Sequence, residues 1–134
     1  DARSGEIRLL GSAALLGYAL DSALVLAQVL RFPEFARLGA PSTLWMVALW
    51  VNLALTLRWS MAWLLGRPLL AAVFGAVGGP LAYVAGQGLG AATLGPSMAA
   101  AVVAVALEWA LAMPLLVWLA GPARAGTAGR LAQG

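Results

Sequence analysis

Four long apolar stretches dominate this chain and restrict the folds open to it. They lie at about residues 9–30, 43–65, 69–88 and 97–119. Each has about the 20 helical residues needed to cross about 30 Å of hydrocarbon. Because 63% of the residues are hydrophobic and only 10% are charged, the composition is not that of a water-soluble domain. We therefore predict an all-α membrane protein, a four-transmembrane-helix bundle, with one domain over 1–120 and a cytoplasmic tail over 121–134.

The arginines indicate how such a bundle is oriented. All eight basic residues are arginines, and they are scattered between apolar runs, so they do not form a patch for nucleic acid. One side of the predicted membrane holds five of them, and the other holds two; the five are Arg3, Arg8, Arg67, Arg124 and Arg130, and the two are Arg31 and Arg37. Since cytoplasmic loops carry the excess of positive charge, we expect a multi-pass inner-membrane protein with both ends in the cytoplasm.

The composition also excludes several kinds of chemistry. The chain has no cysteine and no histidine, which removes thiol nucleophiles, histidine acid/base catalysis and the usual histidine ligation of metals and haem. Three serines of interest, Ser22, Ser60 and Ser97, have no base in view. We therefore expect a non-enzymatic protein with no catalytic residues, no metal site and no cofactor.

Three ionisable residues fall inside the predicted spans: Asp21, Arg58 and Glu108. A charge at the centre of a membrane helix is costly, so each is expected to face the protein interior or a partner. At a rise of about 1.5 Å per residue, the two carboxyl groups lie about 20 Å from the cytoplasmic boundary and Arg58 about 14 Å from it. We predict a buried polar cluster in which Arg58 reaches inward to the two acids.

The third stretch contains signals for close packing and for a break. Gly75 and Gly79 have GxxxG spacing, and Pro80 removes the hydrogen bond that the Ala76 carbonyl would accept. We predict a Gly/Pro-broken third helix. A break at the depth of buried charges is typical of transporter sites, but a kink with an ion pair that only fixes packing, or a charge cluster completed by a partner subunit, is also open.

Residues 56–91, "TLRWSMAWLLGRPLLAAVFGAVGGPLAYVAGQGLGA", resemble an uncharacterised family of small bacterial inner-membrane proteins, a domain of unknown function. The resemblance extends from residue 15 to residue 120 and includes Asp21, the run from Gly78 to Gly86, and Pro114. It implies further helices before Glu6, which fits our expectation that a chain starting at Asp1 is a fragment. It also implies small polar residues where this chain has Arg58 and Trp59, and a link to enzymes that modify membrane fatty acids.

Two functions are compatible with these features. The first is an accessory or scaffold subunit of a larger inner-membrane assembly, which binds membrane lipids and membrane-protein partner subunits but no nucleic acid. It is motivated by the absence of catalytic groups and by the GxxxG surface. The second is a lipid- or proton-linked carrier, or a partner of a system that modifies membrane fatty acids, using Asp21 and Glu108.

Overall fold

Four α-helices form most of the computed structural model, which describes residues 2–34 and 38–121. They are α1 (Ala2–Leu26), α2 (Leu44–Arg58), α3 (Pro68–Gly88) and α4 (Met98–Ala120). Helices α1, α3 and α4 are long and apolar enough to cross a membrane, whereas α2 is shorter. The prediction of an all-helical, membrane-type architecture is thus confirmed, with three helices of spanning length in the described part. The predicted tail, apart from Gly121, lies outside the described residues, as does Arg37.

Side chains and turns fix where the helices begin and end. Thr43 and Ser97 cap α2 and α4 by accepting hydrogen bonds from the backbone N–H three residues later. Helix α2 ends at Arg58, earlier than the predicted 65, because the Thr56 carbonyl accepts from the N–H groups of both Trp59 and Met61. A short 3-10 turn, Ala62–Leu64, then leads to α3. Helix α2 is therefore only about 22 Å long.

A small ribbon, absent from the prediction, joins two of the connections. Helix α1 ends at Leu26, and the chain then forms β1 (Leu30–Arg31), which pairs antiparallel with β2 (Thr93–Leu94). The Gly95 N–H donates to the Val29 carbonyl at 2.8 Å and extends the pairing. The α1–α2 and α3–α4 connections are thereby held together at one end of the bundle.

The helices pack mainly as two pairs, α1 with α2 and α3 with α4, and α4 also contacts α1 and α2. Gly75 and Gly79 lie in the α3–α4 contact. An added Cβ would lie 2.2 Å from the Trp109 carbonyl oxygen at Gly75, and 2.4 Å from Trp109 Cγ at Gly79. The absence of these two side chains lets α4 approach the backbone of α3.

Helix α3 continues through Pro80 without interruption, so the predicted break is not present. Pro80 is buried within the helix. A proline removes one intrahelical hydrogen bond, and a helix in an apolar environment keeps its other bonds because no water competes for them. Helix α4 likewise runs through Pro114.

The adjacent glycines Gly78 and Gly79 give a test of this packing. A Cβ at Gly79 would collide with the Trp109 ring, whereas at Gly78 its nearest neighbour, Phe74 Cε1, is 3.9 Å away. We expect Gly79→Ala to lower the free energy of unfolding in detergent by about 1–3 kcal/mol. The control Gly78→Ala is expected to raise it, by about 0.5–1 kcal/mol, since alanine favours a helix over glycine. Equal effects of the two substitutions would contradict the α3–α4 contact.

Candidate functional site

Asp21 lies at the centre of the bundle and connects three helices. Its side chain is fully buried. Trp50 of α2 donates its indole N–H to Oδ2 of Asp21 at 2.7 Å, and the Tyr83 hydroxyl of α3 donates to Oδ1. Both carboxyl oxygens of Asp21 are therefore occupied by aromatic donors. We refer to Asp21, Trp50 and Tyr83 as the Asp21 triad.

Glycines one helical turn before the polar residues make room for this arrangement. Gly17 precedes Asp21 by four residues, and an added Cβ there would lie 2.1 Å from Trp50 Cγ. Gly79 precedes Tyr83 by four residues and accommodates the ring of Trp109 in the same way. Residues four apart lie on the same helix face, so in each case an indole ring rests on the glycine, directly beside the polar side chain.

The two indoles also contact each other. The rings of Trp50 and Trp109 stack with centroids 4.5 Å apart and planes 18° apart, and Trp109 meets Tyr83 edge to face at 6.3 Å. The Trp109 N–H is buried and has no hydrogen-bond partner among the described residues. Offset and edge-to-face contacts of this kind stabilise aromatic pairs beyond simple burial. Trp109 thus couples α4 to the Asp21 triad.

Glu108 lies beside the triad but is not hydrogen-bonded into it. It is half-buried on α4 and within electrostatic range of both Asp21 and Tyr83. Its Oε1 is buried and has no hydrogen-bond partner among the described residues. Asp21 therefore accepts a hydrogen bond on each carboxyl oxygen, whereas Glu108 has an acceptor with no partner in the described part of the chain.

The structure does not bring Arg58 to these acids. Arg58 is the last residue of α2, eight residues and about 12 Å along the helix from Trp50. It lines a separate pocket with Arg8, and in the described part of the chain no ion pair joins it to Asp21 or Glu108. The predicted pairing of Arg58 is replaced by Trp50 and Tyr83, whose neutral N–H and O–H groups already occupy the Asp21 oxygens.

An apolar cleft of about 390 Å³ lies next to the triad, between α2 and α3. Trp50, Tyr83 and Trp109 form its inner wall, and Phe32 and Trp45 stand at the end near the ribbon, with rings 5.7 Å apart edge to face. Its other lining residues are apolar or glycine: Leu30, Met46, Leu49, Leu53, Ala82, Ala85, Gly86, Leu89, Ala91 and Ala92. The volume falls within the range of about 300–1,000 Å³ for small-molecule pockets.

The sequence points to only some of the residues of this site. Within residues 2–34 and 38–121, no three metal-ligating side chains lie together. The sequence identified Asp21, Glu108 and the close-packing glycines, but not Trp50 and Tyr83 as hydrogen-bond donors. The signal that points to Trp50 is Gly17, four residues before Asp21, where its ring is accommodated, and Gly79 marks the place of the Trp109 ring in the same way.

The two tyrosines of the chain allow a matched test of the triad. Tyr83→Phe removes a buried donor to Asp21, and we expect it to lower the free energy of unfolding by about 1–2 kcal/mol. Tyr18 donates to the Ala40 carbonyl at 3.0 Å at an exposed position, so Tyr18→Phe is expected to change it by less than about 0.5 kcal/mol. Both are measured by thermal unfolding in the same detergent, and equal losses would contradict the role of Tyr83.

Comparison with known proteins places the chain in a family. No curated protein and no solved structure matches it. The family model described as "Protein of unknown function (DUF2878)" matches residues 1–115, which include the Asp21 triad, Glu108 and both close-packing glycines. The match covers most of the chain and agrees with the resemblance noted from the sequence. The chain therefore belongs to the DUF2878 family of proteins of unknown function.

Proposed function

We propose that this protein is a non-enzymatic membrane protein that holds one hydrocarbon chain of a membrane lipid in the cleft between α2 and α3. The observation that carries the proposal is the cleft itself, about 390 Å³ in volume and almost entirely apolar. Apolar atoms that line a cleft gain van der Waals contacts when an apolar group fills it. In a bilayer, the hydrocarbon chain of a lipid can enter the cleft and supply these contacts.

The Asp21 triad supports this proposal because it fixes the inner wall of the cleft. Trp50 and Tyr83 line the cleft from opposite helices, and both donate to one carboxyl group. Trp109 is held between them by ring contacts and by the close approach at Gly79. A wall fixed in this way is formed before the lipid arrives, which reduces the entropy lost on binding.

The placement of the cleft favours a lipid that enters from one leaflet. The cleft extends from the ribbon, through Leu30 and Ala92, to Leu53 in the second half of α2. Trp45 at its ribbon end is partly exposed, as is typical of aromatic side chains at a membrane surface. We place this end at the non-cytoplasmic face of a bacterial inner membrane, with α2 and the turn after it as the fourth crossing.

The opposite end supports the orientation inferred from the arginines. Arg8 near the start of α1, Arg58 at the end of α2 and Leu119 near the end of α4 line one pocket. The start of α1 and the end of α4 therefore lie at the same end of the bundle, which we assign to the cytoplasmic side.

The accessory or scaffold role is the second candidate. The packing of α3 against α4 means that this role would need a surface other than the GxxxG glycines. Gly75 and Gly79 are buried against Trp109, so the GxxxG surface is used within the chain and is not open to a partner. An outward stripe on α3 remains, formed by the exposed side chains of Leu69, Val73, Val77 and Leu81. A partner helix would have to dock there in place of lipid.

A proton-linked carrier would have to use Asp21 and Glu108. Both oxygens of Asp21 accept hydrogen bonds from side chains of the cleft wall, which suits a positioning role better than proton exchange. We therefore assign Asp21 to holding the cleft open, and we leave Glu108 outside the binding of the hydrocarbon chain, since it does not line the cleft.

Neighbouring positions on α3 allow the lipid proposal to be tested. Ala82 lines the cleft, whereas Leu81 is 65% exposed and points outward. The probe is phosphatidylethanolamine with a photoactivatable diazirine on one acyl chain, in vesicles that contain the full chain. We expect crosslinks to peptides of the cleft, and we expect Ala82→Trp to remove most of them because the indole fills the space. Leu81→Trp adds the same ring outside the cleft and is expected to leave the crosslinks in place.

Two outcomes would contradict the proposal. One is labelling spread over all exposed helix faces with no preference for the cleft. The other is an equal effect of Ala82→Trp and Leu81→Trp. A membrane protein that copurifies with the wild type and is lost only in Leu81→Trp would favour the scaffold role instead.

A further inference from the structure

A second pocket, of about 240 Å³, lies at the end of the bundle where α1 begins and α2 and α4 end. Two arginines and one hydroxyl line it, Arg8, Arg58 and Ser12, and its other lining residues are Gly5, Leu9 and Leu119. Arg8 and Ser12 are four residues apart on α1 and therefore project from the same helix face. Among the residues that the structure describes, no carboxyl group lines this pocket. It is separate from the cleft, with which it shares no residue.

Arg58 has a buried donor without an acceptor. Its Nε exposes less than 1 Å² and has no hydrogen-bond partner in the described part of the chain. A buried N–H donor that lacks an acceptor carries a desolvation cost, and this cost is larger when the donor belongs to a charged group. The position of Arg58 at the carboxyl end of α2 offsets part of that cost, since the helix dipole favours a cation there.

The dipole does not account for Arg8. Arg8 lies in the second turn of α1, at the helix end that favours anions, yet it lines the same pocket as Arg58. Two guanidinium groups around one small pocket repel each other unless an anion lies between them. An anion in this pocket would reduce the repulsion between the two guanidinium groups. It would also accept a hydrogen bond from the Arg58 Nε–H group.

We propose that this pocket binds a phosphate group, either of an anionic phospholipid or of free phosphate. Arginine presents a planar fork of donors that matches phosphate oxygens, and the Ser12 hydroxyl is a further donor. The pocket lies at the ends of α2 and α4, where lipid headgroups meet a membrane protein. The lining leucines, Leu9 and Leu119, would contact the glycerol or the first part of the lipid chains.

The test measures the thermal unfolding midpoint of the purified full chain in a neutral maltoside detergent. Short-chain phosphatidylglycerol, sodium phosphate, and sodium chloride at matched ionic strength are titrated separately. We expect phosphatidylglycerol or phosphate, but not chloride, to raise the midpoint with saturation. Arg58→Gln is expected to weaken the apparent Kd by about tenfold or more, since it removes hydrogen bonds from a charged donor.

Control variants keep the result interpretable. Arg67 is an exposed arginine that does not line the pocket, so Arg67→Gln is expected to bind like the wild type. If Arg58→Gln does not fold, Arg8→Gln provides the same test at an exposed position. A response to phosphatidylglycerol alone that Arg58→Gln weakens identifies a lipid headgroup, and a response to phosphate as well identifies a site for the free anion. The proposal is overturned if neither raises the midpoint, or if Arg58→Gln and Arg8→Gln bind as tightly as Arg67→Gln. Ala82→Trp, which blocks the cleft, is expected to leave this binding unchanged.

Discussion

The carboxyl group of Asp21 is the point on which the arrangement of the helices depends. It is fully buried, and its two oxygens accept hydrogen bonds from donors on two other helices. A buried acid left without donors would cost several kcal/mol, so α2 and α3 are both held in the positions that bring Trp50 and Tyr83 to it. These hydrogen bonds fix the position of α2 relative to α3, although those two helices do not pack closely on each other.

The cleft exists because α2 and α3 are connected through Asp21 and not by packing directly on each other. Helix α3 packs along α4 through Gly75 and Gly79, and α2 packs along α1, where Gly17 admits the Trp50 ring. Each pair is tight because glycine removes the side chain at the contact. Between the pairs, the bulk of Trp50 and Trp109 keeps α2 and α3 apart. The same rings therefore close the polar centre of the bundle and form the wall of the apolar cleft.

Much of this could be predicted from periodicity and residue type, and the failures have physical causes. The lengths of the apolar stretches predict the four helices. The free-energy cost of placing a charge in a bilayer predicts that Asp21 lies in the protein interior. Formal charge alone predicts a pairing of Arg58 with the acids, but indole and phenol groups also donate hydrogen bonds, and Trp50 and Tyr83 are the donors to Asp21. The short α2 depends on the backbone bonds at Thr56, and the ribbon depends on two loops far apart in sequence, so neither has a local signal.

The two proposed sites lie at different depths, and this bears on how the chain contacts its membrane. The cleft extends from the ribbon to Leu53, whereas the arginine pocket begins at Arg58, five residues and about 8 Å further along α2. A lipid whose phosphate lies between Arg8 and Arg58 would extend its chains along the outside of the bundle from that face. The cleft lies toward the ribbon, away from that end of the bundle. The two sites would therefore hold separate lipid molecules, one from each leaflet, and the buried Asp21 triad would lie between them.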